Sequence, residues 1–400
     1  MKATQQTKKA TSADQPGATI RTIRPAGPVK VALFAPSMTW GGAEKMFKRL
    51  AIGFSDAGLS VDLVLATASG PNLKGLPATI RVVDLGCHRV LASTRPLARY
   101  LNKTRPDVLI STIHYANLVA VWARSLLGFS PQLILREANT MSVDAAGSAE
   151  IRDRVIFSLA RMFYPRADIV VANSRGAAND LIENVGVPRS MVRVIYNPTF
   201  SDEMVPLMRE PVLHPWFGDG GPPIVLSAGR LSVQKRFDLL IRAVVAVREH
   251  RPIRLIILGD GDERDRLESL VRELGGEQFV SLPGFGENPY AYMARADLFV
   301  LSSAWEGLPN ALIEALACGL PVVSTDCPNG PREILDTAVC GCGHLGTLAP
   351  PNDVAALSQA ILQELAVKRD RNALKRYASR FHSDKAVRAY IDLMHVGRRP

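Results

Sequence analysis

The sequence predicts two doubly wound α/β domains in tandem, facing each other across a cleft. Short apolar runs closed by turn signals alternate with helix-period segments from residue 29 onward. That rhythm is the mark of a parallel sheet covered on both faces. It occurs twice, and residues 198–223, rich in Pro, Gly and charge and without a period, separate the two rounds as a linker. The chain has 400 residues, roughly 2.7 domains by length alone, so two domains can each bury a core.

Each element follows from its own segment. Residues 1–28 are polar and aperiodic and read as a disordered tail. Residues 29–36 (VKVALFAP) form an apolar run ending in a turn, which predicts a buried strand. Gly41, Gly42, Ala43 and Glu44 follow, and residues 45–57 read as a helix that stops before Gly58. The next strands are 61–67 (VDLVLAT), 108–112 (VLIST), 132–135 (QLIL) and 169–172 (IVVA), with helical patterns behind them. In the second round the strands are 224–228 (IVLSA), 254–258 (RLIIL), 279–282, 298–302 (LFVLS) and 321–324 (PVVS). Helices 238–250, 263–274, 289–294 and 310–317 lie between them. Ligands of such sheets bind outside the carboxyl ends of the strands, which with two facing sheets means the cleft between domains.

Composition narrows the class. Apolar residues are 47% and charged residues 22%, as in a globular protein. No stretch approaches 18 uninterrupted apolar residues, so no integral span is expected. The N-terminal segment has no apolar h-region, so no secretory signal is expected. Five cysteines do not make a disulfide framework and point to a reducing compartment. Charge is uneven. Residues 1–200 hold 25 basic and 13 acidic groups, a net of +12, residues 201–365 carry −9 and residues 366–400 carry +7. The asymmetry suggests a polyanionic partner or, equally, a generally soluble basic surface. Nucleic acid is disfavoured as that partner, since aromatics are only 6% and no basic–aromatic stripe occurs.

Several local patterns carry chemistry. Gly41-Gly42, between a strand and a helix, leaves backbone N–H groups open to an anion, though a tight turn alone would also use glycine. Gly229-Arg230 and Lys235 put two cations at a strand's carboxyl end in an acidic domain: a diphosphate clamp, or solvated surface charge. Glu306 and Glu314 are separated by seven residues (EGLPNALIE). Glu306 falls in the loop, with Pro309 suited to the first helical turn. Glu314 sits in an apolar helix, where it needs a donor such as a ribose diol, or faces solvent. Asp260-Gly261-Asp262 has the D-x-D spacing of metal-dependent sugar transferases, but it reads better as a strand–turn–helix corner capped by Asp262. Gly259-Asp260-Gly261 fails as a dinucleotide fingerprint because Arg264 occupies the third glycine position. Cys340, Cys342 and His344 lack a second ligand pair for zinc. His114 follows VLIST at a cleft-facing strand end, where it serves a ligand or merely packs.

Gly41-Gly42-Ala43-Glu44, Gly229-Arg230-Leu231, Lys235, Leu258-Gly259-Asp260-Gly261, Glu306-Gly307-Leu308-Pro309-Asn310, Glu314 and Asn329-Gly330-Pro331-Arg332-Glu333 occur in this order. Together they resemble the retaining nucleotide-sugar glycosyltransferases of family 4, whose GT-B fold pairs two Rossmann-like domains. The resemblance covers about residues 29–395. The wording of residues 325–333 looks most like bacterial enzymes that build surface polysaccharides or lipid-linked oligosaccharides, several of which use UDP-sugars.

The resemblance implies an acceptor domain at 29–200, a nucleotide-sugar domain at 201–384, and a last helix, about 385–400, crossing back onto the first. It implies that Arg230 and Lys235 hold the donor diphosphate, that Glu314 binds the ribose and that Glu306 lies by the donor sugar. Gly229 and the backbone of Gly307, Leu308, Pro309 and Asn310 support sugar and phosphate, and Gly41 and Gly42 close over the donor. Relatives carry a His or Arg after the fourth strand of the first domain, where this chain reads Arg136-Glu137-Ala138-Asn139. That contact is absent here or supplied by Arg136, Asn139 or His114, with Glu137 beside them. No cofactor and no metal are expected. The expected partners are a nucleotide-sugar donor, a glycan or polyprenyl-diphosphate acceptor, and an anionic membrane surface at the cytoplasmic face of the inner membrane. Lys45, Lys48, Arg49, Arg89, Arg95, Arg99, Lys103 and Arg105, with Leu91, Leu97, Tyr100 and Leu101, are the expected lipid-facing set.

Overall fold

All strand pairing is parallel, in two sheets. The computed structural model describes residues 27–39, 41–147, 151–286, 288–335 and 344–396. Nearly all of the expected tail, and the Cys340-Gly341-Cys342 segment, lie outside these residues. The first domain runs β1 (Lys30–Ala35), α1 (Gly42–Asp56), β2 (Ser60–Leu65), β3 (Arg81–Asp84), α2 (Thr94–Thr104), β4 (Val108–Thr112) and α3 (His114–Ser125). It continues with β5 (Gln132–Glu137), α4 (Met141–Gly147), α5 (Ile151–Phe163), β6 (Ile169–Ala172), α6 (Arg175–Glu183) and β7 (Val192–Val194). The sheet order is β3-β2-β1-β4-β5-β6-β7.

The second domain follows α7 (Met204–Leu207) and runs β8 (Ile224–Ala228), α8 (Phe237–Arg248), β9 (Arg254–Leu258), α9 (Arg264–Glu273), β10 (Val280–Gly284) and α10 (Pro289–Arg295). Then come β11 (Leu298–Leu301), α11 (Asn310–Ala317), β12 (Val322–Thr325), α12 (Pro331–Leu335), β13 (Gly346–Ala349), α13 (Val354–Ala366), α14 (Arg371–Ala378) and α15 (Ser383–Val396). Its order, β10-β9-β8-β11-β12-β13, is the doubly wound 3-2-1-4-5-6 pattern.

The continuous apolar runs have a direct packing reason. Along β1, Ala32 and Phe34 enter one core layer while Val31, Leu33 and Ala35 enter the other. Both faces are covered, so alternation of polar and apolar residues is lost. Three strands escape the sequence pattern: β3, β7 and β13 are edges of their sheets. β3 (RVVD) is mostly exposed, so no buried run marks it. The expected linker also differs. Met204 is buried, and Trp216 and Phe217 pack on the second domain's core, which holds the segment down despite its Pro and Gly content.

α15 returns to the first domain. Tyr390 meets Phe54 of α1 edge to face, with centroids 6.1 Å apart, and Gln132 donates to the Leu393 carbonyl at 3.0 Å. A side chain at Gly53 of α1 would strike Val387 at 2.3 Å, so this helical glycine admits α15. The helix-propensity penalty of about 1 kcal/mol is set against that closer packing.

Candidate active site

In each sheet the strand order reverses beside the first strand, between β1 and β4 and between β8 and β11. Crevices at such points take ligands. Gly41 and Gly42 follow β1, His114 follows β4, Gly229 and Arg230 follow β8, and Glu306 follows β11. The two crevices face each other, and side chains bridge them.

On the second-domain side, Lys235 Nζ lies 2.5 Å from Glu306 Oε1, and Ser303 Oγ donates to the same oxygen at 2.6 Å. Glu306 is only 6% exposed. The Lys235 stem runs beside Gly229, so the strand end, the cation and the carboxylate form one unit. Arg230 is exposed and joins no ion pair among the described residues. The structure therefore joins Lys235 to Glu306 and leaves Arg230 at the rim. Leu308 and Pro309 are buried, and α11 starts at Asn310 with Pro309 as its N-cap, one residue before the expected place.

The Glu306–Asn310 turn is docked on the first domain. Thr140 donates to the Glu306 carbonyl at 3.2 Å, and Asn329 donates to Thr140 at 2.6 Å. A Cβ on Gly307 would lie 2.3 Å from the Ala138 carbonyl oxygen, so glycine permits this approach. The Asn310 amide oxygen accepts from Asn197 at 2.8 Å and from Thr199 at 3.1 Å, and Asn310 abuts Gly42. Glu44 folds back over Gly41, where Thr39 donates to it at 2.9 Å. That carboxylate opposes an anion at the α1 N-terminus.

Glu314 is buried at 7% exposure, which removes the solvent-facing alternative. Its Oε1 accepts from Lys45 Nζ of α1 at 2.8 Å and from the Tyr290 hydroxyl at 3.0 Å. Arg49 donates to Tyr290 at 3.1 Å and to the Pro198 carbonyl at 3.0 Å. Burial opposes the charge on Lys45, but Glu314 and Tyr290 outweigh it and hold the ammonium above its usual pKa. Burial and the Glu314 charge push the Tyr290 phenol up. Lys45, Tyr290 and Arg49 join this site although nothing in the local pattern of either segment marks them. Lys45 and Arg49 consequently leave the expected lipid-facing set, because they are engaged between the domains.

The first-domain wall corrects two further expectations. Arg136, 2% exposed, donates to Thr112 Oγ1 at 2.8 Å and to Asn197 Oδ1 at 2.6 Å. It braces the cleft from behind, since both acceptors, Thr112 and Asn197, are themselves buried. Glu137, 1% exposed, accepts from Tyr164 at 2.8 Å and from the Ala138 N–H at 3.1 Å. Burial pushes its carboxyl up to about 7 against those donors. Asn139 is exposed at the cleft and bonds to Asp144. Asp144 accepts from Trp305 Nε1 across the cleft at 3.0 Å, and burial pushes its carboxyl up to about 6. His114 stacks near Tyr115 with centroids 4.3 Å apart. Burial lowers its pKa, while Asp144 pulls it back. Asp144 and Trp305 carry no motif, and only the fold brings them together.

The D-x-D corner is built differently from expectation. Asp260 Oδ1 accepts from Gly261 N–H at 2.9 Å and from Arg264 Nε at 2.8 Å, and Arg264 holds its carboxyl below the usual range. Asp262 does not cap α9, whose N-cap is Glu263 without a side-chain bond. Among the described residues no three His, Cys, Asp or Glu side chains cluster as metal ligands. Of the Asn329–Glu333 motif, Glu333 accepts from the Arg175 N–H at 3.0 Å and from Tyr196 at 2.7 Å, tying α12 to α6 beside a cavity of about 300 Å³.

Two family models match in tandem. "Glycosyltransferase Family 4" covers residues 40–200 and "Glycosyl transferases group 1" covers residues 215–381. The chain is 32% identical over 262 residues to the N-acetylgalactosamine-N,N'-diacetylbacillosaminyl-diphospho-undecaprenol 4-alpha-N-acetylgalactosaminyltransferase of Campylobacter jejuni, covering 66% of this chain and 68% of that one. The chain belongs to the family 4 glycosyltransferases. It is also 27% identical to the lipopolysaccharide core biosynthesis glycosyltransferase LpsE of Rhizobium meliloti, over 86% of this chain and 90% of that one. Its fold matches Anabaena HepE in complex with UDP, with TM-score 0.71 and 22% identity over 92% of this chain and all of that one. It likewise matches the lipopolysaccharide outer core galactosyltransferase WaaB, with TM-score 0.69 and 20% identity over the same shares. This glycosyltransferase has the GT-B architecture of both. No described helix is long and apolar enough to cross a membrane.

Proposed function

We propose that this glycosyltransferase moves a hexosyl or N-acetylhexosaminyl group from a UDP-sugar to a glycan or polyprenyl-diphosphate-linked acceptor, with retention and without a metal. The work belongs to lipopolysaccharide or exopolysaccharide synthesis at the cytoplasmic face of the inner membrane. The observation that carries this reading is the Lys235–Glu306–Ser303 unit at the carboxyl ends of β8 and β11. Breaking a sugar–diphosphate bond leaves negative charge on the departing phosphate. A fixed cation or donor aimed there lowers the barrier by about 2.7–4 kcal/mol. Lys235, with Arg230 at the rim, supplies that charge, and Glu306 holds Lys235 in place until the donor arrives. Glu314 offers a buried carboxylate to the ribose hydroxyls. The polyprenyl-diphosphate acceptor is supported by the Campylobacter relative, whose name specifies a diphospho-undecaprenol substrate. The UDP donor is supported by HepE, which was solved with UDP.

A thermal-shift panel of UDP, GDP, ADP and UDP-sugars tests it. UDP compounds at 100 times Kd should stabilise the protein by about 2.7 kcal/mol. Stabilisation by GDP or ADP compounds alone would discard the uridine donor.

A further inference from the structure

We propose that the outward face of α5 is the surface that seats this protein on an anionic membrane, an assignment resting on the reaction proposed above. The reading from sequence placed that surface on the first helix and on residues 89–105. The structure withdraws most of its apolar members and leaves Arg89, Arg95, Arg99, Lys103 and Arg105 exposed. Leu97 and Leu101 are fully buried in the core, and Tyr100 bonds to Asp62. Along α2 the exposed residues are Arg95, Arg99, Asn102 and Lys103, none of them apolar, and the one apolar member of the expected set left outside is Leu91, just before the helix, at 47% exposure.

α5 has the opposite character. Ile151 is 77% exposed, Val155 50% and Met162 61%. At 3.6 residues per turn these three fall within about 40° of one another. Arg154 and Arg161 border the strip on one side and Arg152 on the other, all exposed. Ile156 and Ala160, on the opposite side, enter the core. Cations flanking an apolar strip on an otherwise packed helix match an anionic bilayer, with headgroups for the guanidinium groups and the acyl boundary for Ile151, Val155 and Met162. A soluble anionic partner would need the cations but not the strip.

Position supports the same partner. α3 and α5 run side by side in the same direction: Tyr115 donates to Asp153 at 2.9 Å, and Trp122 meets Phe163 with centroids 5.5 Å apart. The first residue of α3 is His114, at the cleft. The Ile151 end of α5, with Arg152 over the Tyr115 ring at 5.6 Å, therefore lies beside the cleft mouth. A membrane against this face brings a lipid-borne diphosphate to the acceptor side of the cleft. α3 packs between α5 and α2, so the cations of α2 add attraction from the flank.

The test is co-sedimentation of the full chain with vesicles of phosphatidylglycerol and phosphatidylcholine, against phosphatidylcholine alone, at low and high salt. The wild type should pellet with the anionic vesicles, and salt should weaken but not abolish this. Ile151→Ser/Val155→Ser/Met162→Ser should weaken binding roughly tenfold or more, with the UDP thermal shift unchanged. Arg154→Glu/Arg161→Glu, at exposed positions, tests the same face without touching the strip and should also lose binding. Arg95→Gln/Arg99→Gln/Lys103→Gln should cost less than either. Wild-type binding that the α5 variants leave intact, or that the α2 variant abolishes alone, overturns the assignment. UDP stabilisation without vesicle binding overturns this surface and leaves the reaction standing, whereas vesicle binding lost with α5 but no response to UDP supports the surface and sinks the donor reading.

Discussion

The two walls of the cleft handle buried charge in opposite ways. On the second-domain wall each carboxylate has a cation: Glu306 has Lys235 and Glu314 has Lys45. On the first-domain wall Glu137 and Asp144 have hydrogen-bond donors but no ion pair among the described residues, and burial raises both, to about 7 and about 6. The first arrangement presents ion pairs, the cations that the proposed diphosphate clamp draws on. The second makes a wall whose charge depends on pH.

The largest expected effect lies on the paired wall. Lys235→Ala should slow transfer by about 2.7–4 kcal/mol in the barrier. It should also destabilise the fold by roughly 3 kcal/mol, because Glu306 is left buried without its cation. Adding Glu306→Gln should restore stability by denaturant titration but not turnover. Recovery of turnover in the double variant would remove Lys235 from the chemistry. Arg230, at the rim, should cost stability nothing when changed to Ala, yet lower kcat.

The unpaired wall offers the next effect. Glu137 binds its proton more tightly folded than unfolded, so its contribution to stability is complete below about pH 4.5 and is lost as pH rises through about 7. At 1.36 kcal/mol per unit the loss is on the order of 3 kcal/mol. Glu137→Gln should flatten that fall in a stability–pH series. An unchanged slope would show that Glu137 is not the group behind that fall.

Glu314 and Glu306 sharpen the comparison within one wall. Glu314→Gln should weaken UDP binding by roughly 1.5–3 kcal/mol, the value of a hydrogen bond to a charged group. Glu306→Gln should spare UDP and reduce sugar transfer. Calorimetry giving the reverse order would exchange the two roles. The smallest effect expected is none: EDTA should leave activity unchanged, because Asp260 is already committed to Arg264. Loss restored by manganese would put a metal at that corner.

Local pattern carried much of this protein. The strands of both sheets' interiors are legible because a doubly covered strand is buried on both faces and so carries a run of apolar residues, as β1 (VALFA), β4 (VLI) and β8 (IVL) do. Glu306, Glu314 and Lys235 are legible because turn and helix chemistry crowd them into short motifs near strand ends. Three of the four edge strands, β3, β7 and β13, are not, since an edge needs no continuous apolar run, whereas the fourth edge, β10, is legible. Whether Glu314 faced water or a partner was equally undecidable, because the deciding groups, Lys45 and Tyr290, stand 269 and 24 residues away from it. Asp144 meeting Trp305, Arg136 turning inward and the outward strip of α5 are likewise products of packing. Periodicity reports which residues share a face. Only the assembled layers decide whether that face meets the core, the opposite domain or the outside.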